Sequence, residues 1–104
     1  MILTAKAEED YFDWLDNQGV NGIDISNWEF EKFNLLSKVS QNALIIEWFD
    51  SVGIYVNVVR LNSIWNYSFW FNHNRYQGYD FKTRQEATEQ AIIKANEIYN
   101  ERKY

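Results

Sequence analysis

Few side chains in this sequence have the chemistry and spacing of a catalytic or metal site. His73 is the only histidine and there is no cysteine, so neither a histidine pair nor a zinc–thiolate site can be assembled. Ser63 and Ser68 lack the glycine-flanked turn that exposes a nucleophilic serine. The four glycines stand apart and precede no Lys-Ser/Thr pair, which excludes a phosphate-binding loop. We therefore expect no catalytic residue, no metal and no cofactor, and a protein that is not an enzyme.

A row of carboxylates near the N-terminus could serve in binding instead. Glu9, Asp13 and Asp16 fall on one face of a predicted helix, at i, i+4 and i+7. Such a row could imitate nucleic-acid phosphates and occupy a basic groove on another protein, with charge steering the association. The alternative is a solvated helix surface whose acids also suit the positive end of the helix dipole. We favour the solvated surface.

The charge distribution bears on possible partners. The net charge is −5, and residues 1–31 hold eight acids against Lys6, whereas residues 32–104 hold nine bases and seven acids. A general nucleic-acid-binding protein needs a basic stripe, which this distribution does not provide. We therefore do not expect nucleic acid to be the main partner.

Aromatic residues make up 18% of the 104 residues, more than so small a core readily buries. This excess predicts a protein-interaction module that binds another protein or a second copy of itself. The candidate contact residues are Trp28, Phe30, Phe33, Trp70 and Tyr76. The alternative function is nucleic-acid binding through the outer face of a sheet, with the set Arg60, Trp70, Arg75, Tyr76, Lys82 and Arg84.

Three helices must position these residues. The first is predicted over 4–18, with Thr4 as N-cap, and the second over 40–52, with Ser40 as N-cap and Gly53 as the stop. Thr83 and Glu86 form a capping box that opens the last helix. The segment 28–39 fits either a further helix or a strand. One face of the last helix carries Ala87, Ala91, Ala95 and Ile98.

Three strands are predicted between the second and the last helix, over 54–61, 64–73 and 76–81. Turns are expected at Asn62-Ser63 and at His73-Asn74-Arg75. The middle strand alternates strictly, so Trp70 should lie on the outer face, where we also expect Tyr76. The inner face should pack under the last helix with the side chains Trp65, Tyr67, Phe69 and Phe71.

The sequence thus predicts a single α+β domain over 1–104, with an acidic helical part in 1–39 and an αβββα core in 40–104. It is a two-layer domain in which helices pack on a three-stranded antiparallel sheet, in the order α-(α)-α-β-β-β-α. No apolar run is long enough for a signal peptide or a membrane span, so we expect a cytoplasmic protein without membrane contact.

The segment 40–104 resembles double-stranded-RNA-binding domains in its element order. Where that family has a basic cluster at its last helix, this chain has Thr-Arg-Gln-Glu-Ala-Thr-Glu over 83–89, so the resemblance implies the fold and not RNA binding. The chain is also similar to short uncharacterised proteins of Bacteroidetes phages and mobile elements. The shared motifs are Trp-Phe-Asp at 48–50, Gly-Ile-Tyr-Val at 53–56, and Phe-Lys-Thr-Arg-Gln-Glu-Ala at 81–87. This similarity implies an origin and no activity.

Overall fold

The computed structural model of the chain describes residues 2–18 and 37–103. Their elements follow the order α-α-β-β-β-α, which confirms the predicted two-layer α+β fold. The predicted contact residues Trp28, Phe30 and Phe33 lie outside the described residues, as does most of the segment 28–39. The elements are α1 (Ala5–Gln18), α2 (Lys38–Ser51), β1 (Asn57–Leu61), β2 (Ile64–Phe71), β3 (Asn74–Phe81) and α3 (Arg84–Lys103).

The three strands form an antiparallel meander in the order β1-β2-β3. Asn62 and Ser63 join the first pair with φ angles of 52° and 67°, as expected for a two-residue hairpin turn of type I′. The second turn is Asn72-His73, with φ angles of 50° and 67°, so its predicted position was one residue too late. Asn74 already pairs with Phe71, because a two-residue turn needs no third residue.

Helix α3 covers the inner face of the sheet, as predicted. Ala87, Ala91 and Ala95 are fully buried, and so is Phe69 beneath them. Methyl side chains let the helix axis approach a layer of aromatic rings that bulkier residues would hold away. Trp65 and Phe71 are half-buried, and the Arg84 guanidinium lies 4.8 Å from the centre of the Trp65 ring.

A cluster of aromatic rings joins the three helices. The buried Trp48 ring of α2 lies 5.8 Å from Tyr11 of α1 and 5.0 Å from Tyr99 of α3, both edge to face. Phe49, next to Trp48 in α2, is also fully buried. Since Tyr11, Trp48 and Tyr99 belong to three different helices, the core depends on all three helices being in place.

Two of the predicted helix N-caps differ from those in the structure. Helix α2 begins one turn earlier than expected, and its N-cap is Ser37, whose Oγ accepts from the Ser40 N–H at 3.2 Å. At the start of α1, Asn100 of α3 supplies the acceptor for the Ala7 N–H, at 2.7 Å. The Thr4 hydroxyl instead accepts from the Asn96 side chain. The Thr83 cap is as predicted, with the Glu86 N–H donating to its Oγ1 at 3.1 Å.

Candidate interaction surface

The side of the sheet that faces away from α3 carries eleven side chains, which we call the outer face. Its residues follow from strand alternation and register: positions 57, 59 and 61 of β1 pair with 68, 66 and 64 of β2, while 68 and 70 pair with 77 and 75 of β3. Tyr55 belongs to it because both its neighbours, Ile54 and Val56, pack into the core. The outer face is Tyr55, Asn57, Val59, Leu61, Ile64, Asn66, Ser68, Trp70, Arg75, Gln77 and Tyr79.

Large apolar side chains are concentrated on this outer face. Among the described residues eight large hydrophobic side chains are exposed, and six of them belong to it. Trp70 is 56% exposed and Tyr55 is 61% exposed. Val39 and Ile93, the other two, lie on helices. A concentration of exposed large apolar side chains on one face of a small domain is typical of a binding surface.

The outer face is not flat. A shallow depression of about 190 Å³ lies over its centre, and Val59, Asn66, Ser68 and Tyr79 are among the residues that line it. A β-bulge shapes one side: Asp80 has a φ of 70°, and its N–H donates to the Asn66 side-chain oxygen at 3.3 Å. Trp70 stands beside the depression, because it pairs with Arg75, which is one of the lining residues. The surface therefore offers both a protruding ring and a hollow.

The electrostatic character of the outer face differs from that of the whole chain. Among its eleven residues Arg75 is the only charged one, although the chain carries a net charge of −5, and the exposed acid Asp80 adjoins the face beside Asn66. Depletion of acids with enrichment of tyrosine, tryptophan and arginine is the composition expected at the centre of protein interfaces.

The two predicted sheet contacts have different outcomes. Trp70 lies exposed on the outer face, as expected. The placement of Tyr76 on that face was wrong, because β3 begins at Asn74 and its register pairs Tyr76 with Phe69. The Tyr76 ring therefore stacks on Phe69 at 5.1 Å, on the side of the core.

The six residues of the predicted nucleic-acid interface do not come together. Trp70 and Arg75 are register partners on the outer face. Arg60 pairs with Trp65, which places it on the inner side, and Arg84 lies over the same Trp65 ring. Tyr76 is also on the inner side, and Lys82 is exposed in the link between β3 and α3, outside the strands. Of the five residues that the register and the ring contact place, only the Trp70–Arg75 pair lies on the proposed binding face.

The acidic row of α1 is partly neutralised. The Lys6 ammonium lies 3.0 Å from Asp10 and 3.6 Å from Glu9, and these contacts raise the pKa of Lys6. Asp10 also accepts a hydrogen bond from the Tyr99 hydroxyl, whose pKa is raised by burial and by that carboxylate. Glu9 and Asp13 are exposed, and the side chain of Asp16 is not among those described. This arrangement favours the solvated surface over a phosphate-like row.

A second concave region lies between α2 and the start of α3. It encloses about 340 Å³ and is lined by Val39, Ala43, Ile46 and Arg84, among others. The described residues that line it include no aromatic ring, and the one charged group among them, Arg84, already contacts Trp65. The outer face, with its exposed rings, is therefore the stronger candidate for a binding surface.

Comparison of the chain with protein-family models, with curated proteins and with solved structures finds no match. Both resemblances stated above therefore stay predictions. Across the described residues, no helix combines the length and the apolar character needed to cross a membrane.

Proposed function

We propose that this chain is a non-enzymatic protein-interaction module of the cytoplasm, and that the outer face is its binding surface. The observation that carries the proposal is the concentration of six of eight exposed large hydrophobic side chains on this one face. Leaving them in water costs solubility, and among the described residues a helix covers only the opposite side of the sheet. Such a surface is explained by a partner that covers it.

Trp70 is the expected centre of the interaction. It is on the middle strand and more than half exposed, beside the depression and opposite Arg75. Tryptophan and arginine are the residue types that most often dominate binding energy, especially near the middle of an interface. The loss of this indole should therefore weaken binding more than the loss of any other exposed side chain of the face.

The experiment compares three immobilised forms of the protein in a lysate of its native host: the wild type, Trp70→Ser and Val39→Ser. Both substitutions remove an exposed apolar side chain, and only the first is on the outer face. We expect the wild type and Val39→Ser to recover the same partner. Recovery with Trp70→Ser should fall at least about tenfold, as for a central contact residue. Equal recovery by all three forms would show that the outer face is not the binding surface.

Nucleic acid is the second candidate partner, because exposed rings on an open sheet face can also stack on unpaired bases. The eleven residues of the face include one arginine and no acid, which permits this interaction, yet a single cation gives little contact with phosphates. Nuclease treatment of the lysate separates the two candidates. A protein partner that is still recovered after digestion supports the module, and recovery of nucleic acid alone supports the second candidate.

A further inference from the structure

The outer face contains two rows of side chains that complement each other. The first row, which we call the ring row, is the paired Trp70 and Arg75 together with Tyr55, which lies two residues before the start of β1 and continues its alternation. The second, which we call the hollow row, is Val59, Asn66 and Tyr79, and it lines the depression together with Ser68, Gln77 and Arg75. Between the two rows lies the small and polar middle row, Asn57, Ser68 and Gln77.

We propose that two copies of this chain pack outer face to outer face, about a two-fold axis that crosses the strands at the middle row. This inference rests on the proposed function and names the partner as a second copy. An axis at Ser68 exchanges positions 70 and 66 of the central strand. The ring row of each copy then covers the hollow row of the other, and the same three contacts occur twice, as in any isologous interface.

Each of the three contacts joins compatible groups. The Trp70 indole enters the depression beside Asn66, and Tyr55 packs on Val59. The Arg75 guanidinium lies over the Tyr79 ring, an arrangement that attracts a cation to an aromatic face. At the axis the small Ser68 side chains meet, which allows two sheets to approach to the usual separation of about 10 Å.

Charge favours this face over other surfaces for association between copies. Each chain has a net charge of −5, so most pairs of surfaces bring carboxylates together. Exposed acids occur on all three helices, for example Glu9, Glu47 and Glu97. None of the eleven residues of the outer face is an acid, and the exposed Asp80 adjoins it at the bulge, so two copies that meet there bring few carboxylates together.

The size of the face sets the expected affinity. Three strands about 4.8 Å apart and at most about 27 Å long present a footprint of about 400 Å². Two such faces bury about 800 Å², whereas stable complexes bury about 1,200–2,000 Å². We therefore expect a weak dimer, with a dissociation constant on the order of 100 μM.

Sedimentation velocity over a range of concentrations tests the dimer with the wild type and three variants. The wild type should shift from monomer to dimer as the concentration approaches about 1 mM. Trp70→Ser removes the ring that fills the depression, and Ser68→Arg places two cations at the axis. Each should weaken association at least about tenfold, whereas Val39→Ser should leave it unchanged. Circular dichroism verifies that every variant is folded.

A cross-link locates the axis. The chain has no cysteine, so Ser68→Cys provides a single thiol that should join two copies through a short bis-maleimide. Gln90→Cys places the thiol at an exposed position of α3, and this variant should not be joined into a cross-linked dimer.

Two outcomes would overturn the dimer. One is a wild type that stays monomeric at about 1 mM, in which case the proposed function still stands if Trp70→Ser abolishes capture of another protein. The other is a dimer that persists in both Trp70→Ser and Ser68→Arg, which would place the contact between copies on a different surface. If the dimer is disproved and Trp70→Ser also leaves the capture of other proteins unchanged, the proposed function is disproved as well.

Discussion

Replacing Trp48 by alanine is expected to lower the free energy of unfolding by about 3–5 kcal/mol. The Trp48 side chain is 1% exposed, and its ring contacts Tyr11 and Tyr99 edge to face. Removing it leaves a cavity where three helices meet, and each helix has other partners that prevent it from moving in to fill that space. For a domain of this size, such a loss is a large part of the total stability. Urea unfolding followed by circular dichroism measures it.

Trp70→Ala is the matched control, because it removes the same residue type from a position that is more than half exposed. Its effect on the free energy of unfolding should stay within about 0.5 kcal/mol, as is usual for exposed sites. A loss below about 1 kcal/mol for Trp48→Ala would contradict the described core. A large loss for Trp70→Ala would show that the outer face is needed for folding rather than for binding.

Replacing Gly78 by alanine is expected to cost about 2–3 kcal/mol, which is near the upper end for overpacking. Gly78 pairs with Tyr67 across the sheet, and a Cβ at position 78 would lie 2.2 Å from Tyr67 Cε2. The Tyr67 ring has little room to move, since it is stacked between Phe69 at 6.2 Å and Phe81 at 5.9 Å. The glycine is therefore required for space, and denaturant unfolding should show the loss.

A double-mutant cycle isolates this contact. In a Tyr67→Ala background the added methyl group has room, so Gly78→Ala should cost less than about 0.5 kcal/mol there. Gly53→Ala is the control: its Cβ would meet nothing within 4 Å, and its cost comes only from a φ of +87°. That cost should be the same with and without Tyr67. Equal costs of Gly78→Ala in both backgrounds would contradict the packing of Tyr67 on Gly78.

Much of the fold could be predicted from local patterns in the sequence. The alternation of β2, the Asn62-Ser63 turn and the Thr83 cap each have one physical interpretation, and each was confirmed. The predicted start of α2 was wrong because Ser37 and Ser40 are both suitable N-caps, and the choice between them depends on which residues the helix must bury. The start of α1 depends on Asn96 and Asn100, about ninety residues away, so no local pattern identifies its hydrogen-bond partners.

The binding surface was less predictable. Trp70 was found because β2 alternates, whereas β1 is apolar on both sides, with Val58 packed on the core and Val59 and Leu61 exposed. Such a strand gives no sign of which side chains face solvent. Tyr79 was missed for another reason: the residues of β3 change face according to where the strand begins, and the bulge at Asp80 then shifts the register.

Hydroxyl-radical footprinting read by mass spectrometry tests the central claim, that the outer face is the binding surface, most directly. The radicals modify exposed side chains, so Tyr55, Trp70 and Tyr79 should react readily in the dilute protein. In the associated state, with a second copy or with a captured partner, these three residues should be protected while Ile93 on α3 reacts as before. Unchanged reactivity of Trp70 and Tyr79 in the complex, with protection of helix residues instead, would contradict the claim.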